Sequence, residues 1–195
     1  MSNRSIHTLL KNWDEECPLT REEAVEVLNL PEEEMDSLME CAYALRTKYK
    51  GKKVSVQLLT NVRSGNCTQN CAYCAQSKDS QAEIEKYKRV SDEKLYGDND
   101  LVDEKHLARH CIGLSGIGFS DEEIEDLADR IREMKKKDTQ ICCSIGFLTE
   151  KQARILKDAG LDRINHNLNS SRSFYPEICT CLLYTSDAAD EARSV

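Results

Sequence analysis

The sequence predicts an α/β protein of parallel βαβ units, about four of them, behind a helical extension. Two patterns carry that expectation. Apolar runs of strand length alternate with segments whose apolar residues recur at helical spacing, which implies parallel strands joined by helical crossovers. Three of the helical segments also open with a hydroxyl residue followed three positions later by Glu or Gln, the form of a capping box. Four units make half of an eight-fold α/β barrel, and 195 residues fall short of the roughly 250 typical of a closed one.

The elements follow in order. Residues 1–52 read as a helical extension that packs against the barrel. Thr20-Arg21-Glu22-Glu23 is a capping box, Met35, Leu38, Met39, Ala42 and Leu45 recur on one apolar face, and Gly51 is a stop. Residues 53–180 form the barrel part. Its first strand runs from Lys53 to Thr60 and includes the alternating run Val54-Ser55-Val56-Gln57-Leu58-Leu59, read as buried. A poor helix starts at Ser91, interrupted by Gly97-Asp98-Asn99-Asp100. The second strand is Leu107 to Leu114. Ser120-Asp121-Glu122-Glu123 caps a helix whose buried stripe is Ile124, Leu127, Ile131 and Met134. The third strand is Thr139 to Ile145. Thr149-Glu150-Lys151-Gln152 caps the next helix, ended by Gly160, and the fourth strand is Arg163 to Asn169.

Composition narrows the function classes. A hydrophobic share of 39% beside 32% charged residues fits a soluble globular protein. A net charge of -8 without a basic stripe speaks against nucleic acid and against a membrane surface as partners. The amino terminus lacks a signal-peptide core and no run is long enough to span a bilayer, so a cytoplasmic location is expected. Ten cysteines in such a chain point to reduced thiols and metal binding over disulfides. Cys41 and Cys17 read as small buried hydrophobes.

The chemistry is concentrated in Asn66-Cys67-Thr68-Gln69-Asn70-Cys71-Ala72-Tyr73-Cys74, directly after the first strand. Three thiolates on one short loop suit three irons of a cubic iron–sulfur cluster and leave the fourth iron without a protein ligand. An open metal position is the mark of a reactive centre. The competing reading is zinc, which usually takes four protein ligands in pairs such as C-x2-C; the spacing here is poor for that. Strand parity sorts other residues. Arg109, Cys111 and Gly113 share one face of the second strand. Cys142 and Ser144 share one face of the third with Cys143 opposite, and a one-residue shift would exchange the two cysteines. In the fourth, Asn165, Asn167 and Asn169 share a face suited to a polar interior around a ligand. His166 lies on the other face and reads as structural.

The spacing Cys67-x3-Cys71-x2-Cys74, with Tyr73 before the last cysteine, resembles the signature of the radical S-adenosylmethionine (SAM) enzymes. With Arg109-His110-Cys111-Ile112, Ile141-Cys142-Cys143-Ser144 and Asp162-Arg163-Ile164-Asn165-His166-Asn167-Leu168-Asn169 in order, the resemblance narrows to the biotin synthase family and runs from about Val54 to Thr180. It implies a partial TIM-type (β/α) barrel. It also implies that Cys67, Cys71 and Cys74 hold a [4Fe-4S] cluster whose fourth iron binds SAM for reductive cleavage to a 5′-deoxyadenosyl radical. By the same resemblance Tyr73 lies beside the adenine, Asn167 and Asn169 lie near the SAM ribose, and Asn165 contacts the dethiobiotin ring. Cys111 and Cys142 match ligands of a second, [2Fe-2S] cluster that donates sulfur. Ile117 departs from the arginine common at its position. The implied activity is a sulfur-inserting transferase converting dethiobiotin to biotin, the last step of biotin biosynthesis. An electron donor such as flavodoxin or ferredoxin and a homodimeric full-length enzyme go with it. Two alternatives stand: another radical SAM enzyme of similar architecture, of the hydrogenase maturase or methylornithine synthase type, and a non-catalytic zinc or redox-binding module.

The family pattern stops after Ile178-Cys179-Thr180. The run Cys181-Leu182-Leu183-Tyr184-Thr185-Ser186-Asp187-Ala188-Ala189-Asp190 matches the translation of a transposon-end sequencing adapter, the competing reading being a genuine disordered acidic tail. Residues 181–195 are therefore expected to be adapter read-through and not natural sequence, and the chain to be the inactive amino-terminal part of a longer enzyme.

Overall fold

A computed structural model describes residues 19–167 and 169–179. Cys17, Leu168 and the adapter-like run lie outside the described residues. The chain divides into two compact units, up to Val54 and from Ser55 onward.

The first unit is helical. Helix α1 (Arg21–Leu28) opens on the expected capping box, with Thr20 accepting from the Glu23 amide and Glu23 accepting from the Thr20 amide. A 3-10 turn (Glu32–Glu34) leads into α2 (Met35–Lys50). Gly51 ends it at φ +62°, a left-handed conformation that a side chain rarely adopts. Of the expected apolar stripe, Met35 and Met39 are exposed, and Cys41 is half-buried rather than enclosed.

The second unit is a parallel four-stranded sheet in the order β1-β2-β3-β4, namely Gln57–Arg63, Arg109–Leu114, Ile141–Ser144 and Arg163–Asn165. Helices α3 (Asp92–Glu104), α4 (Asp121–Met134) and α5 (Glu150–Asp158) make the crossovers, and a short α6 (Tyr175–Ile178) follows β4. The α/β architecture is the one the alternation of patterns implies. Ser120 and Thr149 both close full capping boxes. Their helices bury what the periodicity picked out: Ile124, Leu127, Ile131 and Met134 of α4 and Leu156 of α5 join Ile112, Ile141 and Cys143 in one core. Each such Leu or Ile contributes about 1.5–3 kcal/mol on burial.

Three boundaries differ from the sequence reading. The first strand begins at Gln57, and Val54, Val56 and Leu59 are exposed, because the helices cover only the opposite face. The fourth strand stops at Asn165. Helix α3 runs unbroken through Gly97-Asp98-Asn99-Asp100 because tertiary bonds outweigh the poor local propensity. Buried Asn99 donates from Nδ2 to the Met134 carbonyl (3.2 Å), and its Oδ1 lies 3.2 Å from His110 Nδ1. On the other side of that ring Nε2 meets Thr60 Oγ1 at 2.8 Å, and Thr60 donates to Asp98 at 2.6 Å. Burial lowers the His110 pKa, with Asp98 opposing. The residues that weaken the helix on paper are thus the ones that tie it to β1, β2 and α4.

Candidate metal and SAM site

The cysteine loop leaves the carboxyl end of β1 through two successive left-handed residues, Gly65 (φ +67°) and Asn66 (φ +56°). A Cβ at Gly65 would press into the Lys86 side chain, so glycine is needed there on two counts. The loop base is laced shut. Ser115 Oγ donates to the Gly65 carbonyl (2.5 Å), the Gly65 amide donates to Gln76 Oε1, and the Lys78 amide donates to the Gln69 carbonyl (2.9 Å). The returning chain pairs with β1: Ser64 and Tyr87 exchange backbone bonds of 3.0 and 3.1 Å, and Val90 donates to Val62 at 2.8 Å. Inside the loop Cys74 donates to the Cys71 carbonyl (3.1 Å) and Ser77 to the Cys74 carbonyl (3.0 Å). The thiols therefore sit at the carboxyl end of the sheet, where barrel enzymes place their chemistry.

Cys67, Cys71 and Cys74 are free and half-buried. Cys71 and Cys74, with Tyr73, line a cavity of about 430 Å³, while Cys67 lines a neighbouring one of about 550 Å³. Among the described residues no three His, Cys, Asp or Glu side chains converge on one point. A mononuclear ion needs such convergence. A cubic cluster takes one thiolate per iron and so accepts ligands spread around it.

Behind this loop stands a thiol that the sequence reading passed over. The Ala72 amide donates to the Ile178 carbonyl (2.9 Å), and the next residue, fully buried Cys179, places its sulfur 4.0 Å from Tyr73 Oη. Burial first, then the nearby Cys179 thiol, push Cys71 up to about 11. More than a hundred residues separate Tyr73 from Cys179, so no local signal marks the pair.

The second group of site residues lies on the sheet face that the helices leave open. In-register neighbours of a parallel sheet project to the same side. Leu59, Cys111, Cys142 and Arg163 form one row across the four strands, and Asn61, Gly113, Ser144 and Asn165 form the next. Cys111 pairs in register with Cys142 and donates to Gln57 Oε1 (3.0 Å). Burial first, then proximity to Cys142, raises the Cys111 pKa. Cys143 lies on the opposite face beside Ile112, with 0% exposure, and burial pushes its thiol up to about 12. The structure thus brings Cys111 and Cys142 together and sets Cys143 apart. The amide row is not realised as a single strand face: Asn165 is in β4, but Asn167 and Asn169 follow its end, all three are exposed, and Asn169 is left-handed at φ +62°. His166 packs its ring on Phe147 at 5.5 Å between centroids.

Known proteins resemble this chain at both levels. It is 39% identical over 178 residues to a biotin synthase of Geobacillus kaustophilus, covering 91% of this chain and 52% of that protein. It is 39% identical over 167 residues to a biotin synthase of Bacillus subtilis, covering 85% and 50%. The chain spans about half the length of the curated relatives it matches. Among solved structures, a methylornithine synthase superposes with a TM-score of 0.64 at 17% identity, covering 80% of this chain and 44% of that one. A maturase of the [FeFe]-hydrogenase gives 0.60 at 18%, covering 83% and 36%. At those identities the likeness is one of fold alone. The pattern describing the radical SAM superfamily matches residues 61–189, which takes in the cysteine loop and the last three strands of the sheet. On that match the chain belongs to the radical SAM superfamily.

Proposed function

We propose that the chain is part of a sulfur-inserting radical SAM enzyme that converts dethiobiotin to biotin. The observation that carries the reading is the pair Cys111 and Cys142, in-register neighbours on one face of the sheet, one row from Asn165. Two facing thiols there suit the ligation of a second cluster. The sequence likeness to biotin synthases points the same way. The fold-level likeness to a methylornithine synthase and a hydrogenase maturase favours neither rival.

The donor sets fit the two clusters that this reading calls for. Cys67, Cys71 and Cys74 would offer one free thiol to each of three irons. Cys111 and Cys142 offer two thiols to the [2Fe-2S] cluster. When bound, the [4Fe-4S] cluster supplies the electron that cleaves SAM. The chain's own residues do the rest. Tyr73 stands on the loop beside the cavity to meet the adenine, Asn167 and Asn169 take the ribose, and Asn165 orients the substrate ring beside the sulfur source. Dethiobiotin is the small-molecule partner. A flavodoxin or ferredoxin donor, a homodimer and a cytoplasmic setting complete the reading. Among the described residues no helix is long and apolar enough to cross a membrane.

The test uses a version extended to the length of the relatives, reconstituted anaerobically with iron and sulfide. With SAM, reductant and dethiobiotin it should yield 5′-deoxyadenosine and biotin. Cys111→Ala or Cys142→Ala should keep the first product and lose the second. Biotin formation undiminished in both variants would refute the sulfur-donor role, and zinc without sulfide in the protein would support the metal-binding module instead.

A further inference from the structure

We infer that Cys71 and Cys179 are a redox pair: in cluster-free protein they close to a disulfide that takes a cluster ligand out of service. Two geometric facts place the two cysteines side by side. The Ala72–Ile178 backbone bond of 2.9 Å joins the residues next to each cysteine. Cys179 lies against the tyrosine two positions beyond Cys71. The Cys179 thiol also lies close enough to help raise the Cys71 pKa. Both are free thiols. Disulfide formation needs sulfurs that can approach and a backbone that tolerates the closure, and the Ala72–Ile178 bond holds the two backbones side by side.

The chemistry balances with a peroxide as oxidant. Half-buried Cys71 reacts through its thiolate, slowly because burial disfavours that form, with hydrogen peroxide to give a sulfenic acid and, after reprotonation, one water. The Cys179 sulfur then attacks the Cys71 sulfur, displacing hydroxide, which leaves with the Cys179 proton as a second water. Two thiols lose two electrons and two protons, and one peroxide becomes two waters. A dithiol reductant reverses the step by exchange. Cys179 is buried, so it stays out of reach of external oxidant and serves to resolve the modified Cys71. Overoxidation of the ligand is thereby prevented, and iron is refused until reducing conditions return.

The disulfide stands on this geometry; its effect on iron rests on Cys71 being a cluster ligand, as proposed above. The full 195-residue chain, free of iron, is treated with hydrogen peroxide, alkylated and mapped by tandem mass spectrometry. The expected product links Cys71 to Cys179 with loss of two hydrogens, and Cys181→Ser leaves that link in place while Cys179→Ser abolishes it. Cys71 left as a free thiol, or joined to Cys67 or Cys74, overturns the proposal, and this arm needs no variant to fold. Iron uptake of the oxidised chain should be lost and should return after dithiol treatment. Normal uptake by a chain with the link mapped would keep the disulfide and remove the ligand role of Cys71.

Discussion

Cys142 and Cys143 are sequence neighbours, yet replacing each with alanine should damage different things. Cys143 is enclosed at 0% exposure among the apolar residues of the core, so its substitution removes one buried sulfur and leaves a small cavity. Lost transfer energy plus incomplete collapse puts the cost at about 1–2 kcal/mol. For a chain of this size that is a fall of about 2–8 °C in Tm. Cys142 lies on the other face beside Cys111, outside that cluster but only 6% exposed, so alanine there should cost no more stability than at Cys143 and remove one ligand of the second cluster. The assay pairs thermal unfolding of the 195-residue variants with visible absorption of a reconstituted version extended to the length of the relatives. If Cys143→Ala lost the [2Fe-2S] absorption while Cys142→Ala kept it, the facing of β3 and the assignment of the pair would both be refuted.

Three further outcomes follow from the same coordinates. Asn99→Ala should destabilise the second unit by about 1–3 kcal/mol, the cost of leaving His110 and the Met134 carbonyl without their partner, measured by urea unfolding. Alkaline pH should weaken the fold through Cys143. Its thiol is held up at about 12 against 9.0, so the folded state keeps a proton that the unfolded state gives up; stability is full below about pH 9 and falls as pH rises toward 12. Cys143→Ala should flatten that slope in unfolding curves taken across the window. The 195-residue chain alone should make no biotin, because the open face that carries Asn165 admits solvent to quench a carbon radical; product above background in an anaerobic assay would contradict this.

What could be read without a structure was whatever is encoded locally. The capping boxes at Thr20, Ser120 and Thr149 are complete within four residues, and the stripe Ile124, Leu127, Ile131, Met134 repeats at one spacing, so both were legible. Parity also set Cys142 on one face of β3 and Cys143 on the other, because a strand fixes alternation wherever its register starts. It failed beyond Asn165, where the strand ends and the period of two no longer applies to Asn167 and Asn169. The helix through Gly97 was hidden because its support comes from Thr60, His110 and Met134, all distant in sequence. Cys179 was hidden for the same reason, since its partners Cys71 and Tyr73 lie on another segment.

The central claim is that Cys67, Cys71 and Cys74 hold a cubic cluster with one iron left for SAM. Iron and acid-labile sulfide, counted per chain after anaerobic reconstitution, test it most directly when joined to electron paramagnetic resonance of the reduced protein with and without SAM. The wild-type chain should carry about four irons and four sulfides in the loop cluster, with a signal that changes on adding SAM, and Cys71→Ala should lose both. Zinc without sulfide, or a cluster retained by Cys71→Ala and indifferent to SAM, would contradict the claim.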